Sequence, residues 1–368
     1  MQYTVFFLAF ITLGTPGQSF IAYIDTGSAT LWMPDSTCLN GTAEQCGDFC
    51  QLVPVDTCTK FCLKKCCQSA TQKAISKFRA SGGGCATKNR FDSSKSSTYV
   101  ADGSGFSITY QTGTVTGFLG SDTLCIPGTQ LCIKNQKFGQ VTKIGGGFVS
   151  QPIDGILGLA FPSLAYDHIT PPVFNAINQG LLDQPIFTIY MGHNGPTVQE
   201  NGGMITFGGL DTVNCAPQVD YVNLISATYF MFKMTGVAAG SYSISGKSWN
   251  TVSMTSAAYI GGPKAVVEKL AAQVGARYNP QYQSYFIDCD AVSPDVQFTI
   301  NGKHYNITAT NYIVANGPGP CMFSFFGSQG GGFMPTWMLG PPMIREYCQV
   351  YDVDKERLGF AKAKAASA

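Results

Sequence analysis

Short apolar or alternating runs, each ended by turn residues, recur along the whole chain. Residues 106–110 form such a run before Thr112-Gly113, and residues 296–300 form another before Asn301-Gly302. Runs of this length between turn residues are typical of β-strands, and Asn-Gly is a strong signal of a two-residue hairpin turn. The pattern therefore predicts a mainly β protein.

Helical periodicity is confined to two short stretches. Residues 171–182 open on prolines and repeat apolar side chains at helical spacing, and residues 263–274 do the same before Gly275. Proline in the first turn and glycine just after the last turn are the usual boundaries of a helix. We expect a few helices beside the strands, these two among them.

Composition excludes several classes of protein. The 368 residues are 45% hydrophobic and 12% charged, with a net charge of +1. This balance excludes a disordered chain or a coiled coil and gives no charge excess that would attract nucleic acid. No apolar run approaches the roughly 20 residues of a membrane span. At roughly 150 residues per domain, the length predicts two domains.

Cysteine usage indicates an oxidising compartment. The chain has 14 cysteines, an even number, and two N-glycosylation sequons at Asn40 and Asn306. These features predict a secreted or lysosome-like protein. We interpret residues 5–11 as the start of a first strand rather than a remnant signal peptide, so a signal and a pro-segment are expected to be absent from this chain.

Residues 38–85 differ from the rest because they hold eight of the cysteines. Several lie four residues apart, which would place their sulfurs on one face of a helix. A metal cluster is one interpretation, and a disulfide-stapled, partly helical insertion is the other. We favour the insertion because ligand histidines are absent nearby. Its connectivity stays open, and its cysteines are Cys38, Cys46, Cys50, Cys58, Cys62, Cys66, Cys67 and Cys85.

A carboxylate at a tight turn is the strongest chemical motif. Asp25-Thr26-Gly27-Ser28 follows an apolar run and precedes residues 30–34, Thr-Leu-Trp-Met-Pro. Further landmarks follow in order at residues 91–99, 108–110 and 154–159. Together these residues resemble the pepsin-like (A1) aspartic peptidases over nearly the whole chain, and the cysteine-rich insertion resembles the roundworm branch of that family.

The resemblance implies an all-β, bilobal fold. The N-terminal lobe would cover residues 1–165, with a flap at about 106–117, and the C-terminal lobe residues 166–368, with its final strand in a sheet between the lobes. Each lobe of such an enzyme contributes one aspartate to a pair that shares a proton. The ionised member activates a water and the protonated member donates to the peptide carbonyl oxygen. A peptide or protein segment is the implied partner, with no cofactor, no metal and a monomeric state.

The second aspartate of the pair is replaced. Counting back from Gly262-Pro263, which matches a family landmark, places Met254 at the aspartate position, followed by Thr255 and Ser256. A thioether neither ionises nor donates a proton. Losing one member of a catalytic unit typically costs about 10⁴ to 10⁶ in turnover, so the sequence predicts little hydrolysis.

The resemblance also assigns roles to other residues. Asp25 is the catalytic candidate, and Thr26 is a structural support. The implied disulfides are Cys125–Cys132, Cys215–Cys348 and Cys289–Cys321. Gln111 stands where the family usually has glycine. The substrate-binding candidates are Gly27, Ser28, Trp32, Tyr110, Gln111, Thr112, Thr255 and Ser256.

Three hypotheses of function follow. The favoured one is a pseudo-peptidase that binds extended segments in the interlobe cleft without cleaving them efficiently. The second is a working acid endopeptidase that cuts between hydrophobic residues. The third is a structural or antigenic secreted protein.

Overall fold

The computed structural model describes residues 7–38, 84–192, 202–315, 319–328 and 335–364. The chain divides into two compact units. The N-terminal unit is Leu8–Gln179, and the C-terminal unit comprises Phe7 and the described residues from Gly180 onward. The expected all-β, bilobal class is confirmed, since strands make up most of the regular structure in both units.

One seven-stranded sheet forms the N-terminal unit, in the order β1-β2-β7-β3-β6-β5-β4. The parallel pairs β2–β7 and β3–β6 lie at its centre. Its strands are β1 (Leu8–Leu13), β2 (Gln18–Asp25), β3 (Trp32–Pro34), β4 (Val100–Tyr110), β5 (Gly113–Cys125), β6 (Cys132–Ile144) and β7 (Gly155–Gly158).

Three sheets build the C-terminal unit. Its strands are β8 (Ile186–Met191), β9 (Gly203–Phe207), β10 (Asp220–Asn223), β11 (Ser226–Ala227), β12 (Phe230–Ala239), β13 (Tyr242–Ile244), β14 (Trp249–Ser253), β15 (Ile260–Pro263), β16 (Arg277–Asn279), β17 (Ser284–Ile287), β18 (Val296–Ile300), β19 (Lys303–Ile307), β20 (Ile313–Val314), β21 (Cys321–Phe323), β22 (Phe325–Ser328), β23 (Trp337–Leu339), β24 (Tyr347–Asp352) and β25 (Arg357–Lys362). The final strand β25 lies in a five-stranded sheet, β10-β25-β24-β8-β9.

Four short α-helices accompany these sheets within the described ranges. They are α1 (Pro172–Asn178), α2 (Lys264–Val274), α3 (Ala309–Tyr312) and α4 (Pro341–Glu346). Helix α1, which follows the predicted lobe boundary at residue 165, packs against β6 of the N-terminal unit. Helix α2 ends at Gly275 in the left-handed conformation, as its sequence predicts. None of the described helices is long and apolar enough to cross a membrane.

Disulfides confirm the three pairings implied by the resemblance, Cys125–Cys132, Cys215–Cys348 and Cys289–Cys321. Cys38 pairs with Cys85, which closes the base of the cysteine-rich segment. The predicted helices of that segment and Asn40 lie outside the described residues, as do the cysteines Cys46, Cys50, Cys58, Cys62, Cys66 and Cys67.

Candidate active site

Asp25 is the last residue of β2, and its side chain is held firmly in the turn that follows. The residue is 4% exposed. The Gly27 backbone N–H donates to Oδ1 at 2.7 Å, and the Ser28 hydroxyl donates to Oδ2 at 2.6 Å. Both carboxylate oxygens accept hydrogen bonds, so the orientation of the carboxylate is fixed by its own turn.

The parallel strand β7 supports this turn from below. Asp25 is paired with Gly158, and the Leu159 N–H donates to the Asp25 carbonyl at 2.8 Å. The Ala160 N–H donates to the Ser28 carbonyl at 2.9 Å. Backbone hydrogen bonds on both sides of the turn therefore hold Asp25 on a rigid element rather than on a loop.

An aromatic cluster connects the β4–β5 hairpin to the region of Asp25. The Trp32 indole Nε1 donates to the Tyr110 hydroxyl at 3.1 Å. The Phe148 ring makes edge-to-face contacts with both, with centroids 5.4 Å from Tyr110 and 5.6 Å from Trp32. Such pairs contribute about 0.5–1.5 kcal/mol each beyond the buried area, so Tyr110 is stabilised at this position.

The Tyr110 hydroxyl keeps its proton across the physiological range. Burial raises the pKa of Tyr110 well above its usual value of 10, and the nearby negative charge of Asp25 raises it further. Hydrogen bonds with Trp32 and Ser28 oppose this shift but do not outweigh it. The hydroxyl is therefore a neutral hydrogen-bonding group beside the carboxylate.

The tip of the hairpin is hydrogen-bonded to a triple-glycine segment. The Gly147 N–H donates to the Thr112 carbonyl at 2.7 Å, and the Gly145 N–H donates to the Thr114 carbonyl at 2.9 Å. Gly146 adopts φ +66°, and a Cβ on it would collide with the Thr112 carbonyl oxygen. The side chains of Gln111 and Thr112 are exposed at the tip.

The C-terminal unit repeats the same strand arrangement around a different turn. Strand β14 pairs in parallel with β23, with Ser253 opposite Leu339, and the Met254 N–H donates to the Leu339 carbonyl at 3.1 Å. Met254 is half-buried, Thr255 is buried and Ser256 is half-buried. Met254 therefore opens its turn in the way that Asp25 opens the other.

Two strand pairings give the correspondence between the turns. In the N-terminal unit Ile24 lies opposite Leu157, one residue before Asp25, as Ser253 lies opposite Leu339 in the C-terminal unit. The partner strands, β7 and β23, each also form one antiparallel pair with a neighbouring strand. In the N-terminal unit this pair is Trp32 with Ile156, and in the C-terminal unit it is Gly261 with Met338. Trp32 follows Asp25, and Gly261 follows Met254, by the same seven positions.

The structure brings the predicted residues of the N-terminal unit together. Gly27 and Ser28 donate to the Asp25 carboxylate, and Thr26 is fully buried in the turn. Tyr110 lies close enough for the charge of Asp25 to act on it, and Trp32 donates to Tyr110. Sequence reasoning missed Phe148, which links Trp32 to Tyr110. Its only sequence signal is an aromatic residue directly after the three glycines 145–147.

Other acids and possible metal ligands lie in different settings. Asp211 accepts from the Val213 and Asn214 N–H groups at 3.0 and 2.8 Å, so it caps a turn of its own. Within the described ranges, no three His, Cys, Asp or Glu side chains form a group that could hold a metal ion. The expectation that the chain needs no metal or cofactor stays a prediction.

Comparison with known proteins decides the family. The profile described as eukaryotic aspartyl protease matches residues 6–363. The chain belongs to this family. As a family member it is 50% identical to "Aspartic protease 10" of Caenorhabditis elegans over 353 residues, which cover 96% of this chain and 82% of the relative.

More distant members of the aspartyl protease family match over a similar length. The chain is 37% identical to "Aspartic protease 2" of Necator americanus, over 97% of this chain and 83% of the relative. It is 31% identical to "Embryonic pepsinogen" of Gallus gallus, over 96% and 79%. The resemblance drawn from the sequence motifs is confirmed.

Proposed function

We propose that this aspartyl protease family member binds an extended peptide or protein segment at the Asp25 site and does not hydrolyse it efficiently. The single observation that carries the proposal is the strand register that gives Met254 the position in its unit that Asp25 has in the other. Asp25 and Met254 would then be the two members of the family's catalytic pair.

The chemistry of the pair explains the expected loss of activity. Hydrolysis needs one carboxylate to take a proton from water and a second acid to donate to the carbonyl oxygen. Met254 can do neither, because a thioether has no ionisable proton. Residues 249–263, which include the whole turn, contain no Asp or Glu that could act in its place.

The N-terminal unit supports peptide binding. Asp25 retains both hydrogen bonds from its turn, and Trp32, Tyr110 and Phe148 form a preorganised aromatic cluster beside it. Gln111 adds an exposed side-chain amide at the hairpin tip. An extended segment offers backbone N–H and C=O groups, and the Gln111 amide can both donate to and accept from such groups.

A hydrolysis assay tests the impairment. Denatured globin incubated with the purified protein at about pH 3–5, where carboxylate pairs of this kind act, should give no fragments that pepstatin suppresses. Clear pepstatin-sensitive cleavage would overturn the proposal and favour the working acid endopeptidase.

A binding titration tests the other half of the proposal. A fluorescently labelled peptide with hydrophobic residues at its centre should bind the wild type, and Tyr110→Ala should weaken binding by about tenfold, or 1.4 kcal/mol. Tyr278→Ala is the matched control because Tyr278 is an exposed tyrosine of the other unit. Equal binding by both variants would contradict a role for the hairpin.

We also propose a secretory or lysosome-like location. Every cysteine among the described residues is in a disulfide, and such bonds persist in oxidising compartments. Alkylation of free thiols in the unfolded protein isolated from its source cells tests this location. Alkylated Cys215 or Cys348 would mean that their disulfide had not formed, which would contradict an oxidising compartment.

A further inference from the structure

Asn306 lies in a sequon on the surface of the C-terminal unit. Strand β19 alternates, with Tyr305 and Ile307 buried and Asn306 exposed between them. β19 is also an end strand of its sheet, in the order β19-β18-β12-β14-β23-β15-β22. A bulky group on Asn306 would therefore project away from the core.

Hydrogen bonds orient the asparagine amide. Gln297 lies directly opposite on β18, and its Nε2 donates to the Asn306 Oδ1 at 2.8 Å. The Asn306 backbone N–H donates to the Tyr347 hydroxyl at 3.1 Å. Nδ2 makes no hydrogen bond to any residue in the part of the chain that the structure describes. It is therefore open to solvent, while Gln297 holds the amide oxygen of the same side chain in place.

The third residue of the sequon has a separate role in the fold. The Thr308 hydroxyl donates to the Glu346 Oε2 at 2.9 Å, and the Thr308 N–H donates to the same oxygen at 3.1 Å. This contact accounts for a hydroxyl residue at 308 but not for the asparagine two positions earlier. Gln297 uses the Asn306 Oδ1, so the exposed Nδ2 is the part of the sequon to which the described residues give no role in the fold.

We propose that Asn306 carries an N-linked oligosaccharide. The donor class is an oligosaccharide joined to a polyisoprenol through a diphosphate. The Asn306 Nδ2 attacks the anomeric carbon, and a new carbon–nitrogen bond forms. The carbon–oxygen bond to the diphosphate breaks, and the diphosphate leaves with the electron pair. One amide proton passes to a base. The transfer belongs to the compartment where disulfides form, and it is independent of whether the chain hydrolyses peptides.

Expression behind a heterologous secretion signal in insect cells tests the proposal. The population with an intact Cys215–Cys348 disulfide is isolated after alkylation of free thiols, which proves its passage through the oxidising compartment. Treatment with peptide N-glycosidase should convert Asn306 to aspartate in the peptide that contains it. Asn306→Gln should lose one glycan's shift in electrophoretic mobility.

Two further variants separate glycosylation from folding. Thr308→Ser keeps both the sequon and a hydroxyl, so it should keep the glycan. Asn223→Gln is the matched control, because Asn223 is an exposed strand asparagine outside a sequon, and it should change nothing. An unmodified Asn306 peptide in the disulfide-linked population would overturn the proposal, and so would failure to recover any such population.

Discussion

The two units place an acid and a non-ionisable thioether, Asp25 and Met254, at turns that follow the same strand pairing. In the N-terminal unit the parallel pair β2–β7 supports Asp25, whose oxygens accept from Gly27 and Ser28. In the C-terminal unit the parallel pair β14–β23 supports Met254. Backbone pairing supports both turns, and in the N-terminal unit the carboxylate adds its own hydrogen bonds to the turn. The turn at Met254 is therefore formed without a carboxylate.

The cores beneath the two turns also differ. The residue before Asp25 is Ile24, which is fully buried and apolar. The residue before Met254 is Ser253, whose hydroxyl lies 2.8 Å from the Tyr351 hydroxyl and also contacts Gln349. Tyr351 in turn donates to the Gln349 Oε1 at 2.9 Å. The C-terminal unit thus has a buried polar network at the position where the N-terminal unit has the apolar side chain of Ile24.

Restoring the acid should produce the largest effect. We expect Met254→Asp with Ser256→Gly to raise turnover of denatured globin at acidic pH by about 10⁴ or more, because a cooperating pair is re-formed. Initial rates of fragment release, with and without pepstatin, measure the gain.

A matched variant shows whether the gain depends on charge. Met254→Asn with Ser256→Gly has nearly the same shape but does not ionise, so it should remain inactive. Adding Asp25→Asn to the restored enzyme should abolish the gain. If the restored variant stays inactive while folded, the loss extends to other parts of the site.

Glu346 should make the stability of the C-terminal unit depend on pH. Burial by itself would raise the pKa of Glu346, but hydrogen bonds from Lys362, Asn311 and Thr308 outweigh it and hold the pKa below the usual 4.5. A lowered carboxyl pKa contributes stability that is present above about 4.5 and is lost as the pH falls through the folded value.

Glu346→Gln should therefore lower the free energy of unfolding at neutral pH by about 2–3 kcal/mol, since hydrogen bonds to a charged group are lost. The difference from wild type should shrink below about pH 4. Urea unfolding at several pH values, followed by hydrogen exchange of β19 and β25, measures it. A constant difference at all pH values would exclude the titration of Glu346 as the cause.

The hairpin over Asp25 can be loosened without touching the site. Gly146→Ala should lower the free energy of local opening at the hairpin tip by about 2 kcal/mol, so the Gly147 amide hydrogen should exchange roughly 30-fold faster. The reason is that the added Cβ meets the Thr112 carbonyl oxygen and that the φ of residue 146 is positive. Gly128→Ala is the control, with φ +79° and no neighbour within 4 Å. Equal exchange in both variants would refute the contact between the tip and the glycines.

Local patterns predicted much of the fold. The strand that ends before Thr112-Gly113, helix α2 with its Gly275 cap and the turn at Asn301 follow from short-range rules of turn and helix chemistry. The flap hairpin at residues 106–117 was implied by the family resemblance. Helix α1 ends at Asn178, earlier than the predicted 182, because Gln179 leaves the helical conformation and Gly180 turns to φ +66°.

The parts that sequence reasoning missed depend on long-range packing. Phe148 reaches Tyr110 only through the folding of β4 to β6, and Ser253 reaches Gln349 across 96 positions of the chain. Neither contact leaves a periodic or local signal. Within the site, the Asp25 turn was predictable because its hydrogen bonds come from residues two and three positions away.

The smallest expected effect concerns the hydrogen-bond network of Ser253, Gln349 and Tyr351. The prediction tests whether apolar side chains at these three positions would stabilise the C-terminal unit as well as the network does. Ser253→Val should destabilise the C-terminal unit by about 1–2 kcal/mol, because Tyr351 and Gln349 lose a buried partner. The triple variant Ser253→Val, Gln349→Met, Tyr351→Phe should recover part of this loss, since it also removes the polar side-chain atoms of Tyr351 and Gln349 that contact the Ser253 hydroxyl. In particular it removes the Gln349 Nε2, which is buried without a partner among the described residues. Urea midpoints compare the two, and a triple variant less stable than the single one would show that the network itself stabilises the strand beneath Met254.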